Sequence, residues 1–266
     1  MAMRNQKNLA EFLWRLLNVA KEQLPHILNL IRRPLLQAKK RYSGGTMAIL
    51  GPPKAGKTTF YQVLRNPQIP TKEIEKYQKT ERSEVKSFVC KWKVSVSDDY
   101  QVDFKFKVRK TIDIGGEEYI REQHWVDAIK DVSVILYVVD IQSIFNKDGI
   151  VKDEAQDRVM RDFDWLFNNS QLPKANFALI LVLNKIDLVC KRDEFDRFYE
   201  LYGPRADELV NVLRKRWKPA LRNNLKGAAF VSLLDVTLRN WTFNDVILHL
   251  VGEDLYELYK SGRTAA

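Results

Sequence analysis

Residues 51–58 read Gly-Pro-Pro-Lys-Ala-Gly-Lys-Thr, and no other stretch of the 266-residue chain limits its fold so tightly. The pattern Gly-x-x-x-x-Gly-Lys-Ser/Thr describes a loop that wraps the phosphates of a nucleoside triphosphate, set between a strand and a helix start. Both neighbours are present. Thr46-Met-Ala-Ile-Leu50 is a short apolar run fit for a buried strand, and Thr59-Phe-Tyr-Gln-Val-Leu64 has the composition of a helix start. Gly51 and Gly56 permit close backbone approach, so N–H groups around Lys54, Ala55 and Thr59 turn towards phosphate oxygens at the positive end of a helix dipole. Lys57 reaches the outer phosphates, and the Thr58 hydroxyl ligates Mg²⁺. A nucleotide-binding α/β domain is implied.

The length suits one domain of about 200 residues plus an appendage. Cys90 and Cys190 stand in apolar surroundings and read as reduced, buried thiols of a cytoplasmic protein rather than as a disulfide framework. His26, His124 and His249 are far apart in sequence and suggest no metal cluster. The net charge of +10 is unevenly placed, because residues 1–45 carry nine Lys/Arg against two Glu and so account for +7 of it. The body of the chain therefore lacks the basic stripe of a nucleic-acid binder.

In residues 1–45, Leu9, Leu13, Leu16, Leu17, Ala20, Leu24, Ile27, Leu28, Ile31 and Leu35 fall at helical spacing. Pro25 is expected to kink or split this helix, and Pro34 to do so again. Glu11, Arg15, Lys21 and Glu22 interrupt any apolar run long enough to span a bilayer. Two readings stay open for this basic amphipathic extension. It packs on the globular domain or a partner protein, or it lies on an anionic membrane surface with Lys and Arg at the headgroups. Ser43-Gly44-Gly45 reads as a flexible joint into the first strand.

From residue 46 onward strands and helices alternate. Residues 85–94 and 102–112 alternate apolar and polar about a turn at Asp98-Asp99-Tyr100, as in an antiparallel hairpin with one solvated face. Val132–Asp140 and Phe177–Leu183 are continuous apolar runs typical of parallel strands covered on both sides, and Ala228–Ser232 is a shorter one. Helical patterns intervene near 118–130, 153–168, 204–217 and 242–258. Such alternation predicts a doubly wound α/β sheet that binds ligands at the carboxyl ends of its strands. The segment 191–227 is charged, with Arg192, Asp193, Glu194 and Asp196 reading as a solvated face. Residues 261–266 read as a frayed tail.

Two further motifs complete a site. Asp113-Ile-Gly-Gly116 follows the second hairpin strand; its carboxylate can hold Mg²⁺ through water, and the Gly116 N–H can meet the terminal phosphate. Asn184-Lys185-Ile-Asp187 ends a buried strand. The Asp187 carboxylate can accept from two adjacent N–H donors, the pattern presented by guanine and not by adenine, with each such bond worth about 1.5–3 kcal/mol.

In this order these motifs resemble the Ras-like superfamily of small GTPases over roughly residues 46–258. The style is closest to its Arf-like and heterotrimeric α-subunit branches. The resemblance implies a P-loop NTPase fold with a mostly parallel six-stranded sheet, one antiparallel strand, and helices on both faces over residues 46–260. It also implies GTP/GDP and Mg²⁺ as ligands, two mobile switch segments read by a partner protein, and an N-terminal amphipathic helix of the kind Arf-like members carry to membranes. Carried over residue by residue, the phosphate loop is Gly51–Thr59, and Thr58 and Asp113 serve Mg²⁺. The switch-one threonine falls between residues 65 and 85, with Thr80 as the choice and Thr71 as the fallback. Asn184, Lys185 and Asp187 bind the base, and a backbone N–H near Ser232-Leu233 meets the guanine oxygen. The family normally has alanine where Leu233 falls. Glu117 departs from the family's glutamine; it can accept from the attacking water but cannot donate to phosphate, and its charge faces an anionic transition state. Slow hydrolysis is expected unless Lys79, Arg82, Arg121 or a partner compensates. The competing reading is a non-hydrolysing GTP/GDP-binding scaffold or membrane-docking module acting through its N-terminal helices. An ATP-dependent enzyme would need Asn184–Asp187 to be coincidental.

Overall fold

The computed structural model describes residues 24–67, 69–74, 87–97, 100–109, 125–169, 177–191, 194–217, 223–235, 238–239, 242, 246–247 and 249–251. Their elements are α1 (Leu24–Tyr42), β1 (Thr46–Leu50), α2 (Lys57–Arg65), β2 (Phe88–Ser97), β3 (Tyr100–Arg109), β4 (Val132–Asp140), α3 (Ile141–Ile144), α4 (Asp153–Asn168), β5 (Ala178–Asn184), α5 (Phe195–Arg216) and β6 (Leu225–Val231).

Hydrogen bonding orders the six strands β2-β3-β1-β4-β5-β6. β2 and β3 pair antiparallel, and every other neighbouring pair is parallel. This is the mixed sheet that the motifs imply, with its hairpin strands about three residues off their predicted bounds. Strand periodicity divides the core in two. Met47, Ile49, Leu136, Val138, Ile180 and Val182 point to one face, where α1, α2 and the buried Val246, Ile247 and Val251 cover them. Ala48, Leu50, Ile135, Tyr137, Leu179 and Leu181 point to the other, under Trp125, Ile129, α4 and α5. Both faces are filled, which explains why β4 and β5 are apolar throughout. β2 and β3 alternate as expected, with Cys90, Trp92, Phe104 and Phe106 buried and Lys91, Lys93, Lys105 and Lys107 exposed.

Three expectations need correcting. α1 runs unbroken through Pro34. Pro34 itself is buried, and Leu35, Ala38 and Tyr42 join the core beside Trp92, Phe104 and Phe106. That apolar seating compensates for the hydrogen bond proline forfeits. Ser43–Gly45 is stitched to β3 rather than loose. Gly44 N–H donates to Lys105 O at 2.6 Å, Lys107 N–H to Gly45 O at 3.0 Å, and Lys105 N–H to Ser43 Oγ at 2.9 Å. Finally, α5 begins at Phe195, well before the predicted 204, and carries Pro204 inside it. Phe198 and Tyr202 on that first half are buried and stack at 4.7 Å, so packing overrides the Gly203-Pro204 break signal. Among the described residues no helix is long and apolar enough to cross a membrane.

Candidate nucleotide-binding site

β1 delivers the chain into the 51–56 loop at the carboxyl edge of the sheet. Gly51 has φ 135°, and a Cβ there would lie 2.0 Å from the Val138 carbonyl oxygen, so only glycine lets the loop leave β1 pressed against β4. Lys54 at φ 62° and Gly56 at φ 93° complete a left-handed path that curls the backbone inward. Gly56 is also the N-cap of α2 and supplies no side chain, so the first N–H groups of that helix are left to a ligand. Ala55 is buried, Thr58 is half-buried in the first turn, and Thr59 is buried in α2. The Lys57 ammonium lies across the loop, donating to Gly51 O at 2.8 Å and Pro52 O at 2.7 Å.

β4, β5 and β6 end in register, with Asp140 opposite Asn184 and Asn184 opposite Val231. The residues that follow therefore emerge side by side. Lys185 takes φ 65°, which reverses the chain into a 3₁₀ turn over Ile186–Leu188 and carries Asp187. Ser232 Oγ donates to Asp187 Oδ1 at 2.7 Å and also accepts from Asp235 N–H at 3.3 Å. Ser232 N–H donates to Thr242 Oγ1 at 3.1 Å. The Lys185 ammonium pairs with Asp140 Oδ2 at 2.6 Å, while Asp140 Oδ1 accepts from Gln142 N–H and caps α3.

One contact closes the two groups on each other. Asn184 Nδ2 donates to Ala55 O at 2.9 Å across 129 residues of sequence. Gly56 makes room for it, since a Cβ there would meet Asn184 Nδ2 at 2.3 Å. Asn184 is buried, and its Oδ1 has no hydrogen-bond partner among the described residues. A buried amide oxygen left unpaired costs about 1–3 kcal/mol, so Asn184 fits a ligand group that donates a hydrogen bond. The close-approach glycines and the first turn of α2, which has no side-chain cap, fit a phosphorylated ligand.

Thr80, Asp113, Gly116 and Glu117 lie outside the described residues. Thr71, the fallback for switch one, donates its hydroxyl to Leu234 O at 2.5 Å and so sits against the 232–235 loop. Leu233 is buried beside it. Sequence reasoning missed Asp140 and Thr242. An acidic residue ending a buried strand just before Gln142 could have signalled the first; nothing local signals the second.

A phosphate loop between β1 and α2, in a β2-β3-β1-β4-β5-β6 sheet with an antiparallel β2, decides the architecture. The fold is that of a P-loop NTPase. No family model matches the chain, and no curated protein matches it either. Among solved structures, the chain is similar to translation elongation factor SelB from Methanococcus maripaludis in complex with the GTP analogue GppNHp. Identity there is 15% and the TM-score 0.42, over 79% of this chain and 34% of that one, so the chain spans about a third of the elongation factor. It is also similar to an ADP-ribosylation-factor-like GTP-binding protein, the small COPII coat GTPase of Encephalitozoon cuniculi, in complex with GDP. Identity is 16% and the TM-score 0.42, over 97% and 98% of the two chains. A variant of the protein SsGBP gives 13% identity and a TM-score of 0.45, over 89% and 65%. Likeness this distant says nothing about ligand or partner, and the fold rests on strand order and loop geometry.

Proposed function

We propose that the protein binds GTP and GDP and hydrolyses GTP as a molecular switch. The observation that carries this reading is the Asn184 Nδ2 to Ala55 O bond, which joins the end of β5 to the phosphate loop. One ligand spanning both must carry phosphates at one end and a base at the other. Asp187 then accepts from guanine's ring N–H and exocyclic amine, Lys185 covers the ring with its stem, and the Ser232-Leu233 backbone meets the base oxygen. Gly51, Lys54, Ala55, Gly56, Lys57, Thr58 and Thr59 hold the phosphates.

Thr58, with Thr80 and Asp113, would hold Mg²⁺, which when bound neutralises charge on the outer phosphates. Water attacks the γ-phosphorus in line, the bond from that phosphorus to the β–γ bridging oxygen breaks, and GDP and orthophosphate leave. Gly116 supplies an N–H to the γ-phosphate. Glu117 can orient the water only as an acceptor, so turnover is slow without a partner. Residues 65–85 and 113–130 are the switch segments that an effector reads.

A specific observation bears on the N-terminal extension. α1 turns Leu35, Ala38 and Tyr42 into the core and leaves Arg32, Arg33, Leu36 and Lys40 exposed. Leu35–Tyr42 thus pack on the domain through one face, and the basic outer face there is the part available to an anionic membrane or a partner.

Nucleotide-stripped protein with Mg²⁺ should bind mant-GTP and mant-GDP, with excess GTP and not ATP displacing them. Single-turnover phosphate release should be slow and should rise in Glu117→Gln. Binding without phosphate release, in the wild type and in Glu117→Gln alike, would leave only the scaffold reading; displacement by ATP would end the guanine reading.

A further inference from the structure

Arg239 is a cation sealed inside the protein, with 1% of its surface exposed. Its Nη1 donates to the carbonyl oxygens of Pro67 at 3.2 Å and Ile69 at 2.9 Å, while Nε and Nη2 have no hydrogen-bond partner among the described residues. Burial pushes its pKa below the usual arginine value, against an opposing pull from Asp235. The Arg239 Nη1 donors go to two main-chain oxygens, which a helix terminus could have left to water. What it holds is therefore informative.

Pro67 and Ile69 lie just after α2, in the segment taken above as the start of switch one. Two residues later, Thr71 donates to Leu234 O at 2.5 Å. Ile69 and Ile74 are buried in the same core cluster as Leu233, Val246 and Ile247. Pro67 and Ile69 are thus tied to Arg239 and Thr71 to Leu234 by hydrogen bonds, with Ile69 and Ile74 in the shared core. The 232–235 loop also meets Asp187. Ser232 Oγ donates to Asp187, Asp235 N–H returns to Ser232 Oγ, and Asp235 Oδ1 accepts from Leu238 N–H at 2.8 Å, one residue before Arg239. The 232–235 loop is held from one side by the carboxylate that reads the base and from the other by the start of switch one.

We propose that Arg239 and Thr71 form a latch that clamps Pro67, Ile69 and Thr71 onto the 232–235 loop and so slows release of the guanine nucleotide. The latch rests on the guanine-binding reading and deepens it. Arg239 is a positioning residue: it touches neither base nor phosphate, and acts by keeping the loop behind Asp187 from opening. A partner protein that draws residues 67–71 outward would break both polar attachments at once and loosen the base.

The test is dissociation of mant-GDP from full-length protein, chased with excess GDP in Mg²⁺. GDP is chosen because it carries no γ-phosphate, so release is read without hydrolysis. Thr71→Val and Arg239→Met should each release mant-GDP faster, by on the order of tenfold, the scale of one or two lost hydrogen bonds. Arg239→Lys keeps a donor for the two carbonyls and should restore slow release. A purely structural role would lower the melting temperature of these variants without changing release from the folded protein, and that result overturns the latch. Thr71→Val decides the matter if Arg239→Met does not fold. Wild-type protein that fails to bind mant-GDP would overturn the guanine reading, and the latch with it.

Discussion

The proposed phosphate end and the proposed base end of the site are built from different materials. At the phosphate end, residues 51–56 shape the pocket with backbone alone. Three residues take positive φ, glycine packs against a strand carbonyl, and one lysine lies across the top. At the base end the backbone is ordinary strand and 3₁₀ turn apart from Lys185, and side chains do the shaping: Ser232 on Asp187, Asp140 on Lys185, Asn184 on Ala55. Phosphates are alike in every nucleotide, so an inflexible main-chain cradle suffices. A base is told from its rivals by which edge atoms donate and accept, and side chains such as a carboxylate offer that choice. The difference predicts two kinds of mutational failure, steric and general at one end, selective and graded at the other.

The largest effect should come from Gly51→Ala. Its Cβ would sit 2.0 Å from a backbone oxygen of β4, which cannot swing aside. A loss of at least about 3 kcal/mol in urea unfolding is expected, together with loss of all nucleotide binding. Wild-type affinity in this variant would break the main-chain side of the comparison. Asp187→Asn comes next. An amide presents a donor where the carboxylate accepted, so GTP affinity should fall by about two orders of magnitude, equivalent to one or two charged hydrogen bonds. Xanthosine nucleotides, which carry an oxygen in place of guanine's amine, should gain. Titration of both nucleotides measures the switch, and an unchanged preference would remove Asp187 from the base site.

Ser232→Ala deletes the donor that steadies Asp187 from 2.7 Å. Guanine nucleotides should weaken by roughly tenfold in equilibrium titration while inorganic triphosphate competes as before, if the two ends are independent. Equal weakening of both probes would show that the ends act as one unit. Asp140→Ala should do least. The Lys185 pair is partly exposed, at 29% and 23% of side-chain surface, which limits it to about 0–1 kcal/mol, a few-fold in mant-GDP affinity. A larger loss would mean that Asp140 orders the whole Lys185–Asp187 turn.

Legibility in the sequence followed the range of the forces involved. β1 and β4 match their predicted bounds, and α4 matches too, because strand and helix periodicity are written in adjacent residues. The phosphate loop was legible for the same reason: Gly51 and Gly56 mark positive φ by their identity alone. α5 was misjudged at its start because Gly203-Pro204 is a local break signal, while the burial of Phe198 and Tyr202 against Phe145 and Phe230 is a distant fact. The Ser43–Gly45 joint was misjudged likewise, since its partners lie on β3, some sixty residues on.

What the chain determined by itself is the list of chemical parts: a glycine-framed cradle, a buried strand ending in Asn184, a carboxylate at 187, a basic helix before the first strand. Side-chain identity and near-neighbour sterics are enough to specify these. Tertiary structure alone decided which parts meet. The strand order aligned Asp140, Asn184 and Val231, and tertiary packing put Asn184 on Ala55, Ser232 on Asp187 and Arg239 on Pro67 and Ile69. Each of these contacts joins segments tens to more than a hundred residues apart, and their geometry follows from how the sheet is ordered and its two faces are filled, which no local pattern encodes.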